Sequence, residues 1–105
     1  MNIKKMADAL ELSKEEYVEL VKLFVETSRN DIERLVAAIC NRESEKAAQA
    51  AHSIKGAAVN LELTEVSKIA KKLEMEAREG NLEGISSDIL LLKKWLNNIE
   101  SRIKV

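Results

Sequence analysis

His52 is the one imidazole in the chain and Cys40 the one thiol. One of each excludes an internal disulfide and the usual zinc-ligand sets. Three glycines exclude a phosphate-cradling glycine loop, and no Glu-x-x-His pattern is present to build the di-iron site of helical bundles. Carboxylates are plentiful, but many stand in runs spaced three or four residues from a Lys or Arg, as in Glu15, Glu19 and Lys22, in Glu62, Glu65 and Lys68, in Glu43 and Lys46, and in Glu74 and Arg78. That is the spacing of ordinary solvated pairs on a helix surface. Cys40 closes an apolar helical stretch and reads as a small buried hydrophobe. Tyr17 and Trp95 stand beside core positions and read as packing residues. His52 is left. A lone helical His is usually just a surface or half-buried residue, so its neighbours decide.

On a helical wheel with His52 at the origin, Ala47, Ala51, Ile54, Ala58 and Leu61 form one stripe on the far side. The imidazole is therefore expected to point away from the core. Within about 60° of it lie Ala48, Lys55, Gly56 and Val59. A solvent face normally carries Glu, Lys or Gln; here small and apolar residues flank a ring. Gly56 costs about 1 kcal/mol relative to Ala inside a helix, with no turn to account for it. A glycine one turn beyond an exposed His fits a face that something bulky must approach closely. Lys55, one turn from the ring, places a cation where an anion carried by the ring would sit. The chemistry that fits is nucleophilic: a neutral imidazole nitrogen attacks phosphorus and carries the group as a phosphoramidate. No acid, base or metal cluster is legible beside His52.

The elements that must hold this face are all helical. Proline is absent, aromatics make up 3%, and Ala, Glu, Leu, Lys and Ile dominate, a helix-former's composition. A short leading helix is expected over about 2–10, carried by Ile3, Met6 and Leu10. Ser13-Lys14-Glu15-Glu16 has the capping-box form. From there Tyr17, Leu20, Val21, Phe24, Ser28, Ile32, Leu35 and Ile39 recur at steps of three and four, which predicts one unbroken helix to about Cys40. Asn41-Arg42-Glu43-Ser44 is the break, with Ser44 as the next cap. A third, Ala-rich helix runs from Glu45 to about Asn60. A fourth starts near Thr64, turns Val66, Ile69, Ala70, Leu73 and Ala77 inward and stops at Gly80. A fifth over about 87–104 buries Ile89, Leu92, Leu96, Ile99 and Ile103, with Ser86 or Ser87 as its cap. Short connections between amphipathic helices imply antiparallel neighbours. The expected fold is all-α, an antiparallel up-down four-helix bundle with a short extra N-terminal helix, in a single domain over residues 1–105.

The charge balance narrows the partners. With 17 Lys+Arg against 18 Asp+Glu the net charge is −1, without the basic field that nucleic-acid binding needs. At 46% hydrophobic and 33% charged, the chain is neither disordered nor membrane-spanning; its longest apolar runs are about four residues against the roughly 20 a bilayer needs. Met1 to Lys5 are followed by no apolar core of signal-peptide length, so a cytoplasmic protein is expected. One complete bundle needs no second chain, so a monomer is expected.

The run Ala51-His52-Ser53-Ile54-Lys55-Gly56-Ala57-Ala58-Val59-Asn60-Leu61 resembles the signature of histidine-containing phosphotransfer (HPt) domains: a His, an aliphatic residue, Lys-Gly, two small residues and Asn-Leu. The likeness continues through Leu73-Glu74 to Gly80-Asn81-Leu82 and upstream through the Phe24 helix. It departs at Glu62, where the family usually has Gly. The resemblance implies a phosphorelay carrier in two-component signalling rather than an enzyme, with no cofactor of its own. His52 would be the phosphoacceptor, Lys55 would assist the phosphoryl group, and Gly56 would clear space for the partner. Ala48 and Val59 would centre a small docking surface, which Val25 and Val36 either extend or leave by packing into the core. Partners would be a response-regulator receiver domain, whose aspartate gives or takes the phosphoryl group, and a sensor or hybrid histidine kinase. The competing reading is a non-phosphorylated adaptor that binds a signalling partner through the same face.

Overall fold

Four of the turns in this chain are built on one pattern, and that pattern sets the architecture. The computed structural model describes residues 1–104, Leu82 by its backbone alone. It contains α1 (Ile3–Ala9), α2 (Lys14–Cys40), α3 (Ser44–Asn60), α4 (Thr64–Glu79) and α5 (Leu82–Ile103), and no strand among the described residues. Each of the first four helices ends in a left-handed residue: Glu11, Arg42, Glu62 and Gly80. The next N–H reaches back five residues to the helix: Leu12 to Ala7, Glu43 to Ala38, Leu63 to Ala58 and Asn81 to Glu76. This motif satisfies the last carbonyls while reversing the chain. After α2, α3 and α4 the reversing residue is itself the N-cap of the next helix, so consecutive helices must lie antiparallel. Helix α3 packs against α2 and α4, α5 packs against α4 and α2, and α1 against α2. The result is a closed antiparallel four-helix bundle with one extra N-terminal helix, 42 Å along its longest axis.

The predicted stripes on α3, α4 and α5 are buried, and the Ser13–Glu16 capping box opens α2 as expected. The differences are at edges and caps. Glu43, not Ser44, caps α3, and its side chain makes no capping bond, because the turn motif has already used that residue. Helix α5 begins five residues earlier than expected: Asn81 is its cap, accepting a hydrogen bond from Gly84 N–H, and Ser86 and Ser87 lie inside it. Leu20 is exposed although it belongs to the predicted stripe; it sits at the stripe's edge. Cys40 is exposed, not buried, because it is the last residue of α2. Val25 is buried in the core.

Tyr17 ties the bundle end together. It is fully buried, its hydroxyl donates to the Leu61 carbonyl at 2.7 Å, and burial, with the charge of Glu62, pushes its pKa up to about 12. At Glu62 the chain follows the usual turn without the usual residue. Its φ is 62°, a conformation that costs an L-residue about 1–2 kcal/mol and glycine almost nothing. Glu62→Gly is therefore expected to stabilise the protein by roughly 0.5–1 kcal/mol, after allowing for glycine's greater freedom when unfolded. Urea unfolding checks this; a midpoint unchanged or lowered contradicts it.

Candidate functional site

Helix α3 is covered on two flanks, by α2 and by α4, and the alanines set how much of it remains open. Ala47, Ala48, Ala50, Ala51 and Ala58 are all buried, and small side chains at the contact let helices approach closely. Ala48, expected at the centre of a docking surface, is 0% exposed and is no part of that surface. The close approach of α4 covers its flank of the wheel. What stays open is a narrow ridge. The His52 side chain is 62% exposed, Gly56 is half-buried, and Val59 is 58% exposed.

The ring is held from the neighbouring helix. His52 Nδ1 lies 3.1 Å from Oε1 of Glu74 on α4, and Lys55 Nζ lies 3.5 Å from the same oxygen. The other oxygen, Oε2, accepts from Arg78 Nη1 one turn further along α4. Glu74 is only 13% exposed, yet its pKa is lowered to about 2. The Arg78 hydrogen bond is the largest cause, and the His52 hydrogen bond and the Lys55 charge add to it against the effect of burial. An ionised carboxylate only accepts hydrogen bonds, so Nδ1 must carry the hydrogen and donate it. In the neutral ring that leaves the lone pair on Nε2, which has no protein partner among the described residues. An exposed imidazole with its tautomer fixed in this way is a nucleophile aimed outward.

Glu74 is the residue that sequence reasoning missed. Its i,i+4 spacing to Arg78 reads as a surface pair, and the pair is indeed formed, but the carboxylate is largely buried beside His52. The expectation of no acid near the imidazole is corrected accordingly. The signal was available: Leu63, the reversing residue of the α3–α4 turn, stands midway between His52 and Glu74. In an antiparallel helix pair, residues equidistant from the turn face each other.

Nothing among the described residues demands glycine at position 56. A Cβ there would meet no atom within 4 Å, so the helix-propensity cost has no internal compensation. Val36 is exposed, but it lines shallow grooves with Lys93, Ile89 and Leu90 of α5. That flank is opposite the one formed by α3 and α4. With Val25 in the core, neither valine extends the His52 face. Among the described residues no group of three or more His, Cys, Asp or Glu is placed to hold a metal, and no helix is long and apolar enough to cross a membrane.

The Hpt domain family model matches residues 19–102. The chain belongs to the Hpt domain family. The crystal structure of histidine-containing phosphotransfer protein B (HptB) from Pseudomonas aeruginosa PAO1 is similar, with a TM-score of 0.81 and 26% sequence identity over 94% of this chain and 86% of that one. A comparison with curated proteins finds no significant match. As an Hpt domain, the protein has a phosphotransfer carrier role in two-component signalling, a setting in which the family works with receiver domains and histidine kinases.

Proposed function

We propose that this single domain is a cytoplasmic, monomeric phosphorelay intermediate that carries the phosphoryl group on Nε2 of His52. The observation that supports this reading most is the ion-pair geometry around the ring: a solvent-exposed imidazole whose Nδ1–H is engaged by an ionised Glu74, with Lys55 alongside. In the forward step Nε2 attacks the phosphorus of a receiver's aspartyl phosphate. The N–P bond forms, the P–O bond to the aspartate breaks, and the receiver keeps its carboxylate. The ring, still protonated on Nδ1, becomes a phosphoimidazolium. Its positive charge develops against Glu74, while Lys55 faces the negative oxygens of the transferred group. Passage to a second receiver aspartate reverses these bonds, and a sensor or hybrid histidine kinase is the other possible donor. The Mg²⁺ and aspartates belong to the receiver that docks. Docking falls on the ridge of Gly56 and Val59, a small surface suited to a transient encounter.

The test is to incubate the protein with a receiver domain charged by acetyl phosphate and map the label. An acid-labile, alkali-stable phosphate on the peptide containing His52 is the expected result; label elsewhere, or none from any receiver of the source organism, overturns the reading. The approach surface has its own test. Gly56→Leu adds a side chain where the chain itself leaves open space, so the fold is expected to survive and to gain about 0.8 kcal/mol of helix propensity. Transfer from a receiver is expected to fall by at least about 100-fold, since a bulky group at the centre of a transferring pair displaces the reacting atoms. Normal transfer with normal stability would remove Gly56 from the docking surface.

A further inference from the structure

Glu74 has two oxygens and three cationic or hydrogen-bonding neighbours, and the division of labour among them singles out Arg78. Oε1 receives His52 Nδ1–H at 3.1 Å and faces Lys55 Nζ at 3.5 Å; among the described residues Oε2 is taken by Arg78 alone. Arg78 is itself held from the other helix, its Nε 3.5 Å from Oε1 of Glu45 in the first turn of α3. The guanidinium thus spans α3 and α4 on the flank that carries His52.

Building on the phosphoacceptor reading of His52, we propose that Arg78 is a positioning residue for phosphoryl acceptance. It anchors Oε2 of Glu74, so that Oε1 stays aimed at His52 Nδ1–H. Two physical consequences follow from the geometry. The first is orientational. A Glu side chain held only through Oε1 is free to swing its second oxygen, whereas a cation at position 78 holds Oε2 from the next helical turn. Losing that anchor frees the ring to sample the tautomer whose lone pair sits on Nδ1, turned toward the protein rather than toward a donor. The second is charge balance. Lys55 and Arg78 offset Glu74 and Glu45, so a doubly negative phosphoryl group meets a locally neutral set. Without Arg78 it meets one unbalanced carboxylate. Arg78 touches neither the ring nor the transferred group and acts only through Glu74.

The experiment exploits the fact that the chain has one His, so the ¹⁵N spectrum of its imidazole contains a single ring and needs no assignment. The parent protein, Arg78→Ala and Arg78→Lys are compared at a pH where the ring is neutral. In parallel, each is phosphorylated directly by potassium phosphoramidate, a small donor that needs no docking partner; Nε2 displaces ammonia and forms the N–P bond. Arg78→Ala is expected to move both ring nitrogens toward averaged tautomer shifts and to slow phosphorylation about fivefold or more. Arg78→Lys, which can still pair with Glu74 at i,i+4, is expected to recover most of both. Circular dichroism should show all three equally helical, because the Arg78 side chain is about half exposed. Parent-like ¹⁵N shifts and rates in Arg78→Ala overturn the inference, as does a lysine variant no better than the alanine one. If the parent protein takes no phosphate on His52 at all, the phosphoacceptor reading falls and this inference falls with it. A labelled parent with an indifferent Arg78 overturns this inference alone.

Discussion

His52→Gln is expected to abolish phosphoryl acceptance completely while leaving the unfolding midpoint within about 0.5 kcal/mol of the parent. The two halves of that expectation come from different parts of the structure. Acceptance is lost because the glutamine amide has no basic lone pair to attack phosphorus, and the chain has no second imidazole. Stability is kept because the ring is mostly in solvent and its one hydrogen bond is to a carboxylate that retains Arg78 and Lys55. Glutamine can also donate to Glu74 from roughly the position of Nδ1. The checks are a labelled-phosphate transfer assay from a charged receiver, and urea unfolding of the same preparation. Residual labelling of the variant would place the acceptor on another residue, and a collapse in stability would mean the ring belongs to the core.

Glu76→Gln is expected to stabilise the protein by roughly 2 kcal/mol at pH 8 and to have little effect near pH 4.5. Glu76 on α4 and Asp88 on α5 are each only 6% exposed, and one oxygen of each, Glu76 Oε1 and Asp88 Oδ2, makes no hydrogen bond among the described residues. The nearest cation is Lys72, 3.3 Å from Asp88 Oδ2. Gly84 makes the arrangement possible, since any Cβ there would collide with the Glu76 carboxylate. Burial first, and then the hydrogen bond and charge of Asp88, push the Glu76 pKa from 4.5 up to about 7; Glu79 acts the same way, and Lys72 opposes it. The folded state therefore binds a proton that the unfolded state releases between those values. The associated stability is fully present below pH 4.5 and is lost as pH rises through about 7. Glutamine is neutral at every pH and can donate to Asp88 as the protonated acid does. Glu74 works in the opposite sense. Its pKa of about 2 gives stability that is present above 4.5 and lost as pH falls toward 2. The two together put their combined stabilisation at its maximum at about pH 4.5. Urea unfolding between pH 3 and pH 8 reads both slopes. Parallel profiles for parent and Glu76→Gln would mean the carboxyl pair shares no proton.

Local pattern made much of this fold legible. Steps of three and four from Tyr17 to Ile39 mark one long helix, Ser13 and Glu16 mark its start, and Gly80 marks the end of α4, because helix periodicity and capping depend on residues within a turn or two of each other. The same locality explains the misplaced caps. Ser44 and Ser87 are good capping residues in isolation, but reversing residues at Glu43 and Asn81 took that role first. Glu62 adopts the left-handed turn without being glycine because both flanking helices require the reversal.

The site divides along the same line. His52, Lys55, Gly56 and Val59 share one helix, so their common face, and the family likeness they carry, could be read from spacing alone. Ala48 sits on the same wheel within about 60° of His52, yet the approach of α4 buries it. Glu74 looks like any surface acid until the α3–α4 hairpin closes and sets it against the ring. Sequence by itself determined the helices, their order and the exposed imidazole, since each follows from side chains near in the chain. Tertiary structure alone decided which nitrogen of that imidazole is free, because the carboxylate that holds the other one arrives from 22 residues away.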